Sequence, residues 1–168
     1  MGFRALPTQS RLQELFDYDP SVGVFIRRKS LSNVKAGDVA GTLKDEYVQI
    51  NVDGTIYKAH RLAWMYVYGV EPKSGIDHIN GIRADNRLCN LREATQSQNG
   101  ENKIRHKNNK SGYRGVSWHK ASKKWKASIF KAGKTFYLGI FPTAKEAFDE
   151  YCRAKKRIHT FEPNVREA

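Results

Sequence analysis

The sequence is poor in cysteine and has no long apolar run. Its 168 residues include two cysteines, Cys89 and Cys152, and no Cys-x-x-Cys pair, so we expect neither a disulfide framework nor a cysteine-bound zinc site. No apolar run approaches the roughly 18 residues of a membrane helix, and the first residues lack the apolar core of a secretory signal. We therefore expect a soluble, cytoplasmic protein that is not secreted.

Acidic residues are scarce in the second part of the chain. Residues 1–100 hold 13 Lys and Arg against 11 Asp and Glu, whereas residues 101–168 hold 17 against 6, so most of the net charge of +13 lies there. Between Lys103 and Lys134 there are 11 basic residues and no acidic one, interleaved with large aromatic residues that a disordered tail rarely carries. The pattern predicts two parts, the second of which binds a polyanion: nucleic acid first, an anionic membrane surface second.

Residue alternation and turn signals predict a mixed α+β fold. A short helix is expected around residues 12–16 and a strand at 24–28, followed by a hairpin at 47–59 that turns at Asp53-Gly54. A helix at 60–68 then stops at Gly69. Three strand-like segments at 113–119, 125–131 and 135–139 predict an antiparallel meander, and Thr143 with Glu146 forms a capping box for a helix that packs across it.

A polar constellation between these parts has the residue types that metal-assisted hydrolysis requires. Asp77-His78 is followed by Asn90 and then by Asn99. A carboxylate and an amide oxygen suit Mg²⁺ or Mn²⁺, and a histidine with a reference pKa of about 6.5 can accept a proton from water. Adjacent side chains point to opposite faces of a regular strand, so the strand must end or twist at Asp77-His78. Thr95 and Gln98 resemble a capping box, which places Asn99 in the first turn of a helix.

This stretch, DHINGIRADNRLCNLREATQSQN, resembles the HNH motif of phage and intron-encoded homing endonucleases, a ββα-metal unit built around one metal ion. The resemblance implies that His78 is the general base and that Asp77 and Asn99 hold one divalent ion, Mg²⁺ first and Mn²⁺ second. It implies that Asn90 ties the loop so that the base is oriented. The upstream segments YDPSVGVF and HRLAWMYVYG are also similar to these proteins, with Arg61 a candidate phosphate contact. His60 is either a contact near the scissile bond or a buried helix cap.

The basic segment from SGYRGV to KKRIH resembles the DNA-binding domain of plant ethylene-response factors, the Apetala type. Such domains lay a three-stranded sheet in the major groove of double-stranded DNA. The resemblance implies that the DNA contacts are Arg114, Trp118, Lys120, Lys124, Trp125, Lys126 and Tyr137. The expected organisation is a nuclease domain at 1–106 with its core motif at 76–103, a linker at 107–112, and a DNA-binding domain at 113–163.

Together these features predict a metal-dependent endonuclease that hydrolyses DNA phosphodiester bonds. In the α+β fold we expect, an N-terminal hairpin and helix lead into the ββα-metal motif, and a three-stranded antiparallel sheet packed on one helix follows. One HNH site cuts one strand at a time, so a monomer would nick DNA and a weak homodimer could cut both strands. A phage-encoded protein of this kind would act in the interior of the host cell. Two alternatives remain: a DNA-binding regulator with an inactive nuclease part, and a nuclease acting on RNA or structured nucleic acid.

Overall fold

A computed structural model describes residues 5–31, 33–102, 109–159 and 161. The chain divides into two compact units, Met1–Ala94 and Thr95–Ala168, and its fold is α+β. In chain order the first unit contains α1 (Gln9–Leu15), β1 (Phe16–Asp19), β2 (Val24–Arg27), β3 (Val39–Ala40), β4 (Thr42–Lys44), β5 (Tyr47–Val52), β6 (Thr55–Lys58), α2 (Ala59–Tyr68), β7 (Gly75–His78), a 3₁₀ turn (Leu88–Asn90) and β8 (Leu91–Ala94). The second contains α3 (Gln96–Asn102), β9 (Val116–His119), β10 (Lys124–Lys131), β11 (Lys134–Phe141) and α4 (Ala144–Ile158).

The described strands of the first unit form small antiparallel sheets with orders β1-β2-β3, β4-β5-β6 and β7-β8. The predicted hairpin is confirmed, because β5 and β6 pair with Val52 opposite Thr55. Asp53 and Gly54 turn the chain with φ of 50° and 79°, left-handed values that Gly and Asp accept more readily than other residues. The predicted helix before Gly69 is confirmed as α2, and Gly69 caps it with φ 67°.

The core of the first unit is formed where α1 and α2 pack on the sheets. Its fully buried side chains include Leu12, Phe16, Phe25, Ile50 and Leu62. Phe25 packs edge-on against Tyr66 of α2, with ring centroids 6.0 Å apart, so an aromatic contact joins the first hairpin to the helical layer. This core holds β7 and β8 in place through the buried Leu91.

The second unit is a three-stranded meander of order β11-β10-β9 with α4 packed across it, as the sequence predicted. The Thr143 hydroxyl accepts a hydrogen bond from the Glu146 amide at 3.2 Å and caps α4. The strand β9 begins at Val116, later than the predicted 113. Gly115 explains the delay, because it has φ +75° and lies against the Tyr151 ring.

Several predicted domain limits lie outside the described residues. These limits are residues 1, 103, 106, 107 and 163. The remainder of the predicted linker, 109–112, is a loop in which the Asn109 side chain donates to the Tyr113 carbonyl at 2.7 Å. The division between the compact units falls at Ala94/Thr95, before α3, whereas the predicted nuclease domain extends to 106. In the part of the chain that the structure describes, no helix is long and apolar enough to cross a membrane.

Candidate active site and nucleic-acid interface

The pairing of β7 with β8 positions Asp77 and His78. Asp77 stands opposite Arg92 and His78 opposite Leu91, and both site side chains are buried. The Arg92 guanidinium donates to Asp77 Oδ2 at 3.0 and 3.2 Å, so a cation already compensates the carboxylate charge. β7 ends at His78, as expected for two adjacent residues that serve one site.

Asn90 closes the loop that follows His78. Its side-chain oxygen accepts a hydrogen bond from the Asn80 amide at 2.9 Å, and its side-chain nitrogen donates to the Asp85 carbonyl at 2.8 Å. The Asn90 carbonyl also accepts from the Ile79 amide at 2.8 Å. A second tie joins Asn80 Nδ2 to Asp85 Oδ2 at 2.6 Å. Asn90 thus fixes the loop on both sides of its turn.

Asn86 is a site residue that sequence reasoning missed. Its side chain is 2 % exposed, and its Oδ1 lies 3.5 Å from His78 Nε2, at the long end of hydrogen bonding. The Tyr18 hydroxyl donates to the Asn86 carbonyl at 2.7 Å, and Asn86 Nδ2 donates to the Ala84 carbonyl at 3.1 Å. In the sequence, an Asn between Asp85 and Arg87 indicates only a turn, because its partner Tyr18 is far away along the chain.

An aromatic group packs against the His78 ring. His60, the second residue of α2, meets His78 edge-on with centroids 5.0 Å apart, and Tyr47 lies 5.4 Å from His60 and 6.3 Å from His78. Burial lowers the pKa of His60 to about 3, helped by repulsion from His78. Burial also lowers the pKa of His78, against the opposing contact with Asn86. A neutral imidazole is a proton acceptor, which is the protonation state that a general base requires.

The His60 ring packs against the His78 ring. Its Nδ1 is buried and makes no hydrogen bond within the described residues. The neighbouring Arg61 is mostly buried, with its Nη2 3.8 Å from an oxygen of the half-exposed Glu71. Arg61 therefore stays a predicted phosphate contact.

Asn99 lies in the second unit, in α3. The predicted capping box is confirmed, because the Thr95 amide donates to Gln98 Oε1 at 2.8 Å and the Gln98 amide donates to Thr95 Oγ1 at 3.3 Å. The Asn99 amide donates to the Thr95 carbonyl at 2.8 Å, which places Asn99 in the first turn of the helix. The structure thus brings Asp77, His78 and Asn90 together in the first unit and gives Asn99 the helical position that its spacing predicted.

The ligands that the motif predicts are oxygen donors of the kind that Mg²⁺ and Mn²⁺ take. Asp77 offers a hard carboxylate oxygen, and an Asn side chain offers a neutral one, which is the small protein ligand set that Mg²⁺ takes while it keeps several waters. Within residues 5–31, 33–102, 109–159 and 161, no group of three His, Cys, Asp or Glu side chains is placed to hold a metal ion.

The sheet of the second unit has one face against α4 and one face exposed. Trp125 pairs with Trp118 and Ala127 pairs with Val116, so these four side chains share a face. Because Ala127 is fully buried in the contact with α4, this is the inner face, at whose rim Trp118 remains half exposed. The two tryptophan rings meet edge-on at 5.1 Å.

The outer face carries a different part of the predicted contact set. The register places Lys124 opposite His119, Lys126 opposite Ser117, and Tyr137 opposite Ser128. Tyr137 is 62 % exposed, and none of the outward side chains of the described strands is acidic. Phe130, which the sequence reasoning did not select, is also outward and 53 % exposed.

Two further predicted contacts lie outside the strands. Lys120 is exposed in the turn after β9. The Arg114 guanidinium donates to the carbonyls of Gly100 at 2.9 Å and Glu101 at 3.1 Å, at the end of α3. The predicted set is therefore divided: Lys124, Lys126 and Tyr137 share the outer face, Trp118 and Trp125 the inner face, and Arg114 binds the protein main chain.

Both parts of the chain match models of known protein families. Residues 57–101 match the family model of the HNH endonuclease, and residues 111–160 match that of the AP2 domain. Protein 3.8 of Escherichia phage T7 is 38 % identical over 82 residues, which cover 46 % of this chain and 68 % of that protein. One solved structure is described as "DNA binding and cleavage by the HNH homing endonuclease I-HmuI". Its alignment with this protein has 20 % identity and covers 91 % of this chain and 87 % of the other chain. The TM-score of this alignment is 0.41.

The two family matches fall one in each of the two parts that the charge distribution separated, apart from residue 101. The first spans the Asp77-His78 pair, Asn90 and Asn99, and the second spans the whole meander and α4. The chain therefore belongs to the HNH endonuclease family and carries a C-terminal AP2 domain.

Proposed function

We propose that this protein is a divalent-metal-dependent endonuclease that hydrolyses phosphodiester bonds of double-stranded DNA, and that its AP2 domain selects and holds the site. The observation that carries the proposal is the buried Asp77-His78 pair at the end of β7, followed by a loop that Asn90 closes on itself. A buried carboxylate beside a neutral imidazole is a costly arrangement that a purely structural strand end does not need.

In the proposed reaction, His78 removes the proton from the water that attacks phosphorus. Its lowered pKa keeps the imidazole neutral at cellular pH. Asn86 contacts one ring nitrogen of His78, while Asn90 holds the loop that carries Asn86, so both act as positioning residues. Asp77 and, from the motif spacing, Asn99 would hold the ion. When bound, a divalent ion neutralises charge on the phosphate and on the departing 3′ oxygen.

The AP2 domain would supply most of the affinity for DNA. Lys124 and Lys126 on the outer face are placed to contact phosphates, and Tyr137 offers an exposed aromatic surface among them. Phosphate contacts give affinity that falls steeply with salt, whereas base contacts must supply the sequence preference. Arg61, Arg114, Lys120 and the two tryptophans remain predicted contacts.

Cleavage of supercoiled plasmid tests the proposal. With Mg²⁺ or Mn²⁺ the protein should convert it to nicked circles if it acts as a monomer, or to linear DNA if a homodimer assembles. His78→Ala should lower the rate at least 100-fold without changing DNA affinity, since a general base contributes about 10²–10⁴-fold. Binding without cleavage by both proteins would support the DNA-binding regulator instead. Faster cleavage of a structured RNA than of the plasmid would support the RNA nuclease.

A further inference from the structure

Cationic side chains gather around Tyr47, next to the His78 pocket. The Lys58 ammonium lies 3.7 Å from the centre of the Tyr47 ring, and the Arg83 guanidinium lies 5.2 Å from the same centre. Both are cation–π distances, at which the electron-rich face of the ring attracts the charge. Two cations on one phenol ring repel each other, so this arrangement requires an explanation.

The charge of this cluster is incompletely compensated. The pKa of Lys58 is lowered by burial, then by repulsion from Arg83 and from Arg61. No carboxylate lies within 4.0 Å of the Lys58 ammonium in the described part of the chain. Arg83 pairs with Glu46 at 2.8 Å, but both side chains are at least half exposed, and exposed pairs of this kind are weak and are screened by salt.

The cluster also lies beside the proposed general base. The Tyr47 ring centre is 6.3 Å from that of His78 and 3.7 Å from the Lys58 nitrogen, so this nitrogen lies within 10 Å of the imidazole. An anion bound at Lys58 would therefore lie within a few nucleotides of a phosphate at His78, since DNA rises 3.4 Å per nucleotide along one strand.

We propose that Lys58 and Arg83, held by the Tyr47 ring, form a phosphate-binding subsite for a phosphodiester near the scissile one. The ring fixes the flexible lysine without neutralising it, which a carboxylate partner would do. A phosphate would remove the repulsion among the three cations, and Arg83 would exchange the weak Glu46 contact for a charge-assisted one. The inference rests on the proposed nuclease function and adds to it a site that orients the DNA strand in the first unit.

The salt dependence of DNA binding by the full-length protein tests this subsite without requiring cleavage. The probe is a 30-base-pair mixed-sequence duplex, measured by fluorescence anisotropy from 0.05 to 0.3 M KCl without divalent ions. Each lost phosphate contact reduces the slope of log Kd against log salt by about 0.9. Lys58→Gln should show this reduction, and its Kd at 0.1 M KCl should rise about eightfold if the two lines converge near 1 M. Lys58→Glu should produce a larger rise.

Lys35→Gln is the matched control, because Lys35 is an exposed lysine of the same unit outside the cluster. Its slope should match that of the unmodified protein. Equal slopes for Lys58→Gln and the unmodified protein, or equal reductions for Lys58→Gln and Lys35→Gln, would overturn the subsite. Unfolding midpoints of the variants confirm that each protein is folded. Failure of the unmodified protein to nick plasmid would refute the nuclease function separately, because the binding slopes do not depend on cleavage.

Discussion

Replacing Gly23 by alanine should disturb the loop of the candidate active site, although the two are far apart in the sequence. Gly23 lies in the turn between β1 and β2, with φ +81°, and it faces the main chain of the loop that carries Asn86. A Cβ at this position would lie 2.3 Å from the Arg87 nitrogen and 2.5 Å from the Asn86 carbonyl carbon. These are main-chain atoms, so no side-chain rotation relieves the overlap and one of the two segments must move by about 1 Å.

The magnitude follows from two separate costs. A left-handed φ costs a non-glycine residue about 1–2 kcal/mol. Overpacking against a fixed wall adds about 1–3 kcal/mol. Gly54 provides the matched control, because it has φ +79° and an added Cβ would meet nothing within 4 Å. We therefore expect Gly54→Ala to lower the free energy of unfolding by about 1–2 kcal/mol and Gly23→Ala by about 2–5 kcal/mol.

The displacement should also lower the rate of cleavage. The turn residue Pro20 accepts a hydrogen bond from the Leu88 amide at 3.0 Å, and the Tyr18 hydroxyl binds the Asn86 carbonyl, so this hairpin supports the loop. A misplacement of about 1 Å costs on the order of 100-fold in rate. Urea unfolding measures the stability of both variants, and plasmid nicking at saturating Mg²⁺ measures kcat. Equal stability losses and equal kcat for the Gly23 and Gly54 variants would refute the reasoning.

Three further outcomes are expected. Gly115→Ala should lower the thermal unfolding midpoint of the second unit far more than Gly133→Ala. Both glycines have φ near +80°, but only at Gly115 would a Cβ lie 2.1 Å from the Tyr151 ring. Asn90→Ala leaves the Asn80 amide and the Asp85 carbonyl without their side-chain partner, so it should lower the free energy of unfolding by about 2–4 kcal/mol and remove most of the nicking rate. An unchanged nicking rate would contradict the positioning role of Asn90. EDTA should abolish nicking, with activity restored by Mg²⁺ or Mn²⁺ but not by Ca²⁺, while DNA retention on gels persists throughout.

The local parts of the fold were predictable because local rules determine them. Strict alternation from Tyr47 to Val52, with Asp53-Gly54 behind it, is sufficient for a hairpin. Likewise Thr95 with Gln98 and Thr143 with Glu146 define helix starts over four residues, and both caps form. Strands such as β3 and β4 were missed because two or three residues are too short to show a period.

The parts that sequence reasoning left open depend on contacts between distant residues. Asn86 acquires its position from Tyr18, which no spacing rule connects to it. Alternation along β9 leaves the orientation of Trp118 open, and only its pairing with Trp125 and the burial of Ala127 show that it shares the face of α4. Arg114 stands in a motif associated with DNA contact, yet its hydrogen bonds to Gly100 and Glu101 tie it to α3.

The position of α3 changes the experiment that can separate DNA binding by the AP2 domain from cleavage by the HNH part. The HNH match ends at residue 101 and so includes all of α3 except its last residue, whereas compactness assigns α3 to the second unit. Glu101 is buried there beside His159, which also contacts the Phe130 carbonyl at 3.0 Å. Truncation after residue 110 would remove the Arg114 hydrogen bonds to α3 and expose the Glu101 carboxylate. A loss of cleavage by the truncated protein would therefore not separate a role in DNA binding from a role in catalysis. Lys126→Gln avoids the problem: it should weaken DNA binding and reduce the salt slope by about 0.9, with kcat at saturating DNA unchanged within twofold. A lowered kcat with unaltered affinity would show that the outer face of the sheet is not where DNA is held.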